Sequence, residues 1–255
     1  MQLFLSGMKS ASLICALFLL LGGVFGGLLF TPLVSALQPV TVVWAEDGSD
    51  GTAPYSWTHD VPPTVNGFLL VGLMLDRVTE KIVSVTAVDG TNTLPLTPHA
   101  RYILTDPAGD SHHQLWYLTN AQRFTSAFNI VVVISGPATL TFGSATFNNV
   151  DPASPILSSS TATATSTTPS VSLCGTGADN LAWDFLTVGG GTDGLTSPNR
   201  VPNAGQTPRW DELQPGAPRA IAGSSKPSVS GMMTLGWTLD TSEPWRQTAV
   251  ELNNA

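Results

Sequence analysis

The sequence predicts an all-β fold: a two-sheet antiparallel sandwich preceded by one N-terminal hydrophobic helix. Three observations predict it. The first is a charge-free stretch from Ser10 to Ala45, whose core from Ala11 to Phe30 is almost wholly apolar. The second is a series of short apolar or alternating segments after residue 40, separated by Gly, Pro and Asn/Asp turns. The third is composition: charged residues make up only 11% of the chain, against 24 Gly and 19 Pro. Few helix formers and many turn residues favour short strands over a helical bundle.

The N-terminal element comes first. A membrane-spanning helix needs about 20 apolar residues, and this stretch supplies them. A secretory signal has an apolar run of only about 7–15, so length favours a retained anchor. The flank favours cleavage instead: Val34-Ser35-Ala36 fits a small-residue processing site, and Pro32 breaks the helix just before it. Both readings export the β region. Retained, the segment holds the β domain on the periplasmic or extracellular side; cleaved near Ala36, the domain is secreted. Lys9 before the segment, with Glu46, Asp47 and Asp50 after it, places the N-terminus in the cytoplasm. Gly22, Gly23, Gly26 and Gly27 would form one flat helix face for a second membrane helix. Trp44 lies at the level where interfacial indoles concentrate, and so is a candidate membrane-surface anchor. The chain thus divides into residues 1–40, an anchor or signal segment, and residues 41–255, one β domain.

The strands come next, in order. Ser56–Val61, Ile82–Val88, Ala138–Phe142 and Val171–Leu173 alternate apolar and polar residues, the period of a half-buried strand. Phe68–Leu75 and Ile130–Ile134 are continuous apolar runs, expected to be buried on both faces. Pro62-Pro63, Asn66-Gly67, Asp89-Gly90, Asp106-Pro107 and Ser135–Pro137 mark turns between them. Ser158–Ser170 is rich in Ser and Thr, as a linker would be, but Thr161–Thr165 alternates Thr with Ala, as an edge strand does. Gly189–Pro218 reads as a long surface excursion with Trp210 as its main apolar anchor.

Charge and cysteine narrow the function. The chain carries ten Lys and Arg against eighteen Asp and Glu, a formal net charge of −8. An acidic domain without a basic cluster repels phosphate backbones, so no nucleic-acid partner is expected. Of the two cysteines, Cys15 lies in the apolar segment, so packing rather than a disulfide must hold the domain. Cys174 is expected to be a small buried residue.

The order of segments resembles a jelly-roll-like β-sandwich module of exported, mostly uncharacterised bacterial proteins. The residues that carry the likeness are Trp57–Asp60, Gly67–Leu73, Val83–Val88, His113–Leu118, Phe142–Pro152, Ser166–Ser172, Leu235–Leu239, Glu243–Trp245 and Ala249–Leu252. The resemblance implies a fold and an exported location, and brings no catalytic residues with it.

Chemistry-bearing motifs are sparse. No Gly-x-Ser-x-Gly or His-Glu-x-x-His occurs, and no strand carries the closely spaced carboxylates of a glycosidase pair, so no catalytic residue and no enzyme is expected. No zinc-like Cys/His spacing is present and no cofactor is expected. Glu46, Asp47 and Asp50 are a weak Ca²⁺ candidate, since clustered carboxylates in a Gly-containing loop suit a hard cation. Trp57, Trp116, Trp183 and Trp237 sit in strand-like contexts and are expected in the core. Trp210 and Trp245 lie near loops, and are the candidates for ligand or partner contact. Together these features predict a non-catalytic structural or accessory subunit whose partners are membrane lipid and other membrane-protein subunits. The alternative is a secreted or surface module that binds carbohydrate.

Overall fold

The computed structural model describes residues 38–50, 53–61, 64–76, 81–104, 111–189, 199–214 and 219–255. The apolar N-terminal segment, with Gly22, Gly23, Gly26 and Gly27, lies outside the described residues. Among those described, no helix is long and apolar enough to cross a membrane.

Two consecutive halves form the all-β unit. The first contains β1 (Thr41–Asp50), β2 (Tyr55–His59), β3 (Phe68–Leu75), β4 (Ile82–Val88), β5 (Thr93–Pro95), β6 (Thr97–Leu104), β7 (Ser111–Thr119), β8 (Phe128–Ile134) and β9 (Leu140–Asn148). The second contains β10 (Ile156–Ser166), β11 (Ser170–Gly175), β12 (Leu181–Gly189), β13 (Arg200–Pro202), β14 (Thr207–Leu213), β15 (Arg219–Pro227), β16 (Gly231–Leu239) and β17 (Glu243–Leu252). All pairings between them are antiparallel.

The expectation of two sheets is corrected to four. An inner sheet of order β1-β9-β3-β7-β6 and an outer sheet of order β2-β8-β4-β5 make the first half. An inner sheet of order β10-β17-β12-β15-β14 and an outer sheet of order β11-β16-β13 make the second. The two inner sheets repeat one plan: each half starts on an inner edge strand and ends on the strand beside it. The chain therefore traces nearly the same path twice.

Three apolar layers hold the sheets in the sequence outer, inner, inner, outer. β3 shows why. Leu69, Val71, Leu73 and Leu75 face the first outer sheet, among Tyr55, Val85, Ile130 and Val132. Phe68, Leu70 and Met74 face the second half, among Trp183, Phe185, Ile221 and Val250. Side chains alternate across a strand, so a strand covered on both faces must be apolar at every position. That is the physical reason for the continuous run Phe68–Leu75, whose residues are all buried. β12 repeats the device, sending Trp183 and Phe185 inward and Leu186 and Val188 outward against Trp237 and Leu239. Each large apolar side chain so buried contributes about 1.5–3 kcal/mol.

Close approach of the two inner sheets depends on glycines. An added Cβ at Gly72 would stand 2.7 Å from the Phe185 ring. At Gly143 on β9 and Gly223 on β15 it would stand 2.4 and 2.3 Å from the Trp210 indole, which lies between them.

Ile130–Ile134 departs from expectation. It forms β8 of an outer sheet, so Ile130 and Val132 are buried while Val133 is 48% exposed. Gly189–Pro218 is not wholly a surface excursion either, because it contains β13 and β14. Short length, Pro202 and Pro208, and a bulge between Pro208 and Trp210 hide them from a periodicity reading. Ser158–Ser166 is a strand, and its alternation is that of an edge.

Both ends of the described unit meet at one pole. Asn254 Nδ2 donates to the Gln38 carbonyl, Val40 N to Asp179 O at 2.9 Å, and Asn149 Nδ2 to Pro39 O at 3.1 Å.

Candidate functional site

The predicted site residues are dispersed. Trp210 is 3% exposed and packs edge-on against Trp183 at 4.9 Å between ring centroids. Trp245 is 4% exposed and donates its indole N–H to Ser166 Oγ at 3.0 Å. Neither presents a face to solvent, which corrects the expectation that these two indoles make ligand contacts. The reason is that both lie on strands, β14 and β17, rather than on open loops. Trp44 alone of these candidates is open, at 40% exposed on β1.

The Ca²⁺ candidate does not assemble. Glu46 and Asp47 are neighbours on β1 and so point to opposite faces. Glu46 reaches His59 on the outer-sheet side, and Asp47 accepts the backbone N–H of Asp211 on the other. The side chain of Asp50 lies outside the description. Among the described residues no group of three His, Cys, Asp or Glu side chains is placed to hold a metal ion.

The best-developed constellation joins β1, β2 and β9. His59 is fully buried between the first outer and inner sheets. Its Nδ1 lies 2.8 Å from Glu46 Oε1 and 2.9 Å from Ser144 Oγ, and its Nε2 lies 2.8 Å from Thr146 Oγ1. Trp57 Nε1 donates to Ser144 Oγ at 3.1 Å, and Ser144 donates on to Glu46 Oε1 at 3.3 Å. One assignment satisfies every group: Nδ1–H donates to Glu46, and Nε2 accepts the Thr146 hydroxyl. Ser144 and Thr146 are two apart on β9, so they share the face that meets His59. The chain carboxylate–imidazole–hydroxyl has the parts of a nucleophile system, but both hydroxyls are fully buried. Only its outer end reaches solvent. There the Glu46 side chain is 22% exposed, and Trp44 Nε1 donates to Glu46 Oε2 at 3.4 Å. The cluster therefore presents an indole beside an anchored carboxylate.

Asp184 and His113 are also sealed inside. Asp184 on β12 accepts Ser224 N at 2.8 Å, Ser224 Oγ at 2.6 Å, Trp237 Nε1 at 2.6 Å and Gln247 Nε2 at 2.5 Å. Burial pushes its carboxyl up to about 6 despite those four donors. His113, between the inner sheets, meets Thr187 Oγ1 at 3.2 Å and Thr248 Oγ1 at 2.9 Å and stacks on Phe185. Burial first, and the Arg246 charge second, push its imidazole down to about 3. In the sequence Asp184 is a lone carboxylate and His59 an isolated histidine, so neither points to a site. Their partners come from strands up to 87 residues away, and the local signal is only a polar residue at a core-facing position.

Where β14 lies along β1, Asp47, Asp211 and Glu212 gather near Arg200, which pairs with Asp211. Burial raises the Asp211 carboxyl, Arg200 pulls it back down and Asp47 pushes it up. A separate apolar cleft of about 540 Å³ opens beside β2 and β8, lined by Pro54, Tyr55, Val131, Val133, Ile134 and Pro137 among others. Cys174 is exposed on β11, not buried as expected, because its strand turns Val171 and Leu173 inward and Cys174 out.

No protein-family profile matches the chain, and no curated protein matches it. Two solved structures are similar over 83% of this chain. One is a "putative secreted protein" from Eubacterium rectale, with 13% identity, 74% of that chain covered and a TM-score of 0.26. The other is from Sulfolobus turreted icosahedral virus, with 8% identity, 91% of that chain covered and a TM-score of 0.25. At such TM-scores the likeness assigns neither fold family nor function.

Proposed function

We propose that the chain is a non-catalytic structural or accessory subunit. It is an exported β module, tethered by its N-terminal segment and packing against partner membrane proteins. Each half is read as a jelly-roll, whose first, last, third and seventh strands share the inner sheet in the first copy.

The observation that carries the reading is the place of Trp44. It is exposed on β1, three residues past Thr41, in the half of the strand nearer the pole where residue 38 meets Asn254. An indole there would lie near the lipid headgroups if the apolar segment were retained. His59 and Asp184 spend their hydrogen bonds on neighbouring strands, which suits a packing role. Exposed Val83 and Val133 and the neighbouring apolar cleft offer a partner a surface.

Extraction from native membranes followed by N-terminal sequencing tests the tether. The expected result is a chain released only by detergent, starting before Leu37, with other membrane proteins copurifying in fixed proportion. A freely soluble mature chain starting at Leu37 would overturn it.

A second reading, carbohydrate binding, moves from the buried indoles to Trp44. An exposed indole beside a fixed carboxylate, that of Glu46, is able to stack on a sugar and accept its hydroxyls. Glycan-array binding that disappears in Trp44→Ala would favour this reading over the subunit reading.

A further inference from the structure

We propose that β10 is an assembly edge through which two copies of this chain pair antiparallel, joining two five-stranded inner sheets into one continuous sheet. A sheet edge exposes unpaired N–H and C=O groups, and proteins usually blunt it with charge, proline, bulges or short length. The other long edges here carry such devices. β1 carries Glu46, Asp47 and Asp50, and β14 lies beside it. β6 carries Pro98, Arg101 and a bulge between Pro98 and Ala100. β14 carries Pro208, Arg209, Asp211, Glu212 and a bulge. The outer-sheet edges β2, β5, β11 and β13 are six residues or fewer.

β10 carries only a register shift between Ile156 and Ser158, at its very start. It is 11 residues long, with neither a charged residue nor a proline. Its register against β17 is unbroken from Ser158 to Ser166. None of its side chains is buried, although every residue of β17 except Arg246 is. Among the described residues no strand pairs with its open side.

Charge selects the occupant. The chain is acidic overall, at −8, so two copies repel each other at long range and charged surfaces are poor places to meet. β10 is a long stretch where two copies meet without opposing like charges. Pairing centred on Thr161 uses its whole length, setting Thr161 against Thr161 and Ser159 against Thr163. Such β-branched and hydroxyl pairs are favourable across strands. This goes beyond the tether reading, because a chain released from the membrane would still pair through β10.

The test uses the full-length chain. Sedimentation velocity is expected to show a dimer. Ser159→Lys with Thr165→Lys, which places lysines diagonally across the new pairing, is expected to weaken association at least tenfold while circular dichroism stays unchanged. In a Cys15→Ser, Cys174→Ser background, Thr161→Cys is expected to give a disulfide-linked dimer on mild oxidation. A monomer at tens of micromolar, a dimer indifferent to the two lysines, or no cross-link at position 161 each overturns the proposal. If the lysine chain does not fold, the cross-link decides.

Discussion

Asp184 and His113 pull the pH dependence of stability in opposite directions. The folded Asp184 carboxyl titrates at about 6, above its ordinary value of 3.8, so the native state holds its proton more tightly than the unfolded chain. Its contribution is complete below about pH 3.8 and is lost as pH rises through about 6. His113 is depressed from 6.5 to about 3, so its contribution is present above pH 6.5 and is lost as pH falls toward 3. Gln247 Oε1 has no partner in the present arrangement. An amide flip would let it accept from a protonated Asp184. Asp184→Asn is therefore expected to gain on the wild type by up to about 3 kcal/mol between pH 4 and 8. Parallel melting curves across that range would sink the assignment. A lone Asp in the apolar stretch Leu181–Val188 was visible in the sequence; its four donors were not, because three other strands supply them.

At the scale of elements, Trp210 works as a wedge from β14 between the two inner sheets. Gly143 and Gly223 give it room, and Trp183 and Phe185 meet it edge-on. Trp210→Ala is expected to cost about 3–5 kcal/mol, as large aromatic truncations in cores do. Gly143→Ala would overpack the same spot, costing about 1–3 kcal/mol alone and much less when Trp210 is already Ala. Denaturant midpoints of the two single variants and the double variant measure that coupling. Additive losses would mean that the indole and the glycine do not share the space. β3 was legible because burial on both faces forces an unbroken apolar run. β14 was not, because a bulge and a proline disturb its alternation, and its indole looked like a loop residue as a result.

For the whole molecule, the inner sheets of the two halves share one apolar layer, in which Phe68 and Leu70 meet Trp183 and Phe185. Neither half would keep that face dry alone. Unfolding is expected as one transition, with calorimetric and van't Hoff enthalpies equal. Two separated transitions would show that the halves are independent. The all-β class was legible from period and composition. The doubled plan was not. The two halves repeat a path rather than a sequence, and long-range pairing such as Thr41 with Asn148 leaves no local trace.

The meeting of Gln38 with Asn254 gives the domain a near side and a far side. β1 runs from that pole, where Thr41 pairs with Asn148, to the other end, where Asp50 pairs with Leu140. The apolar cleft lies at that other end, beside Tyr55, whose hydroxyl bonds to Ala138. Ten residues of strand separate the two by about 30 Å. A tag added after Ala255 would therefore emerge at the pole where Gln38 meets Asn254, clear of the cleft.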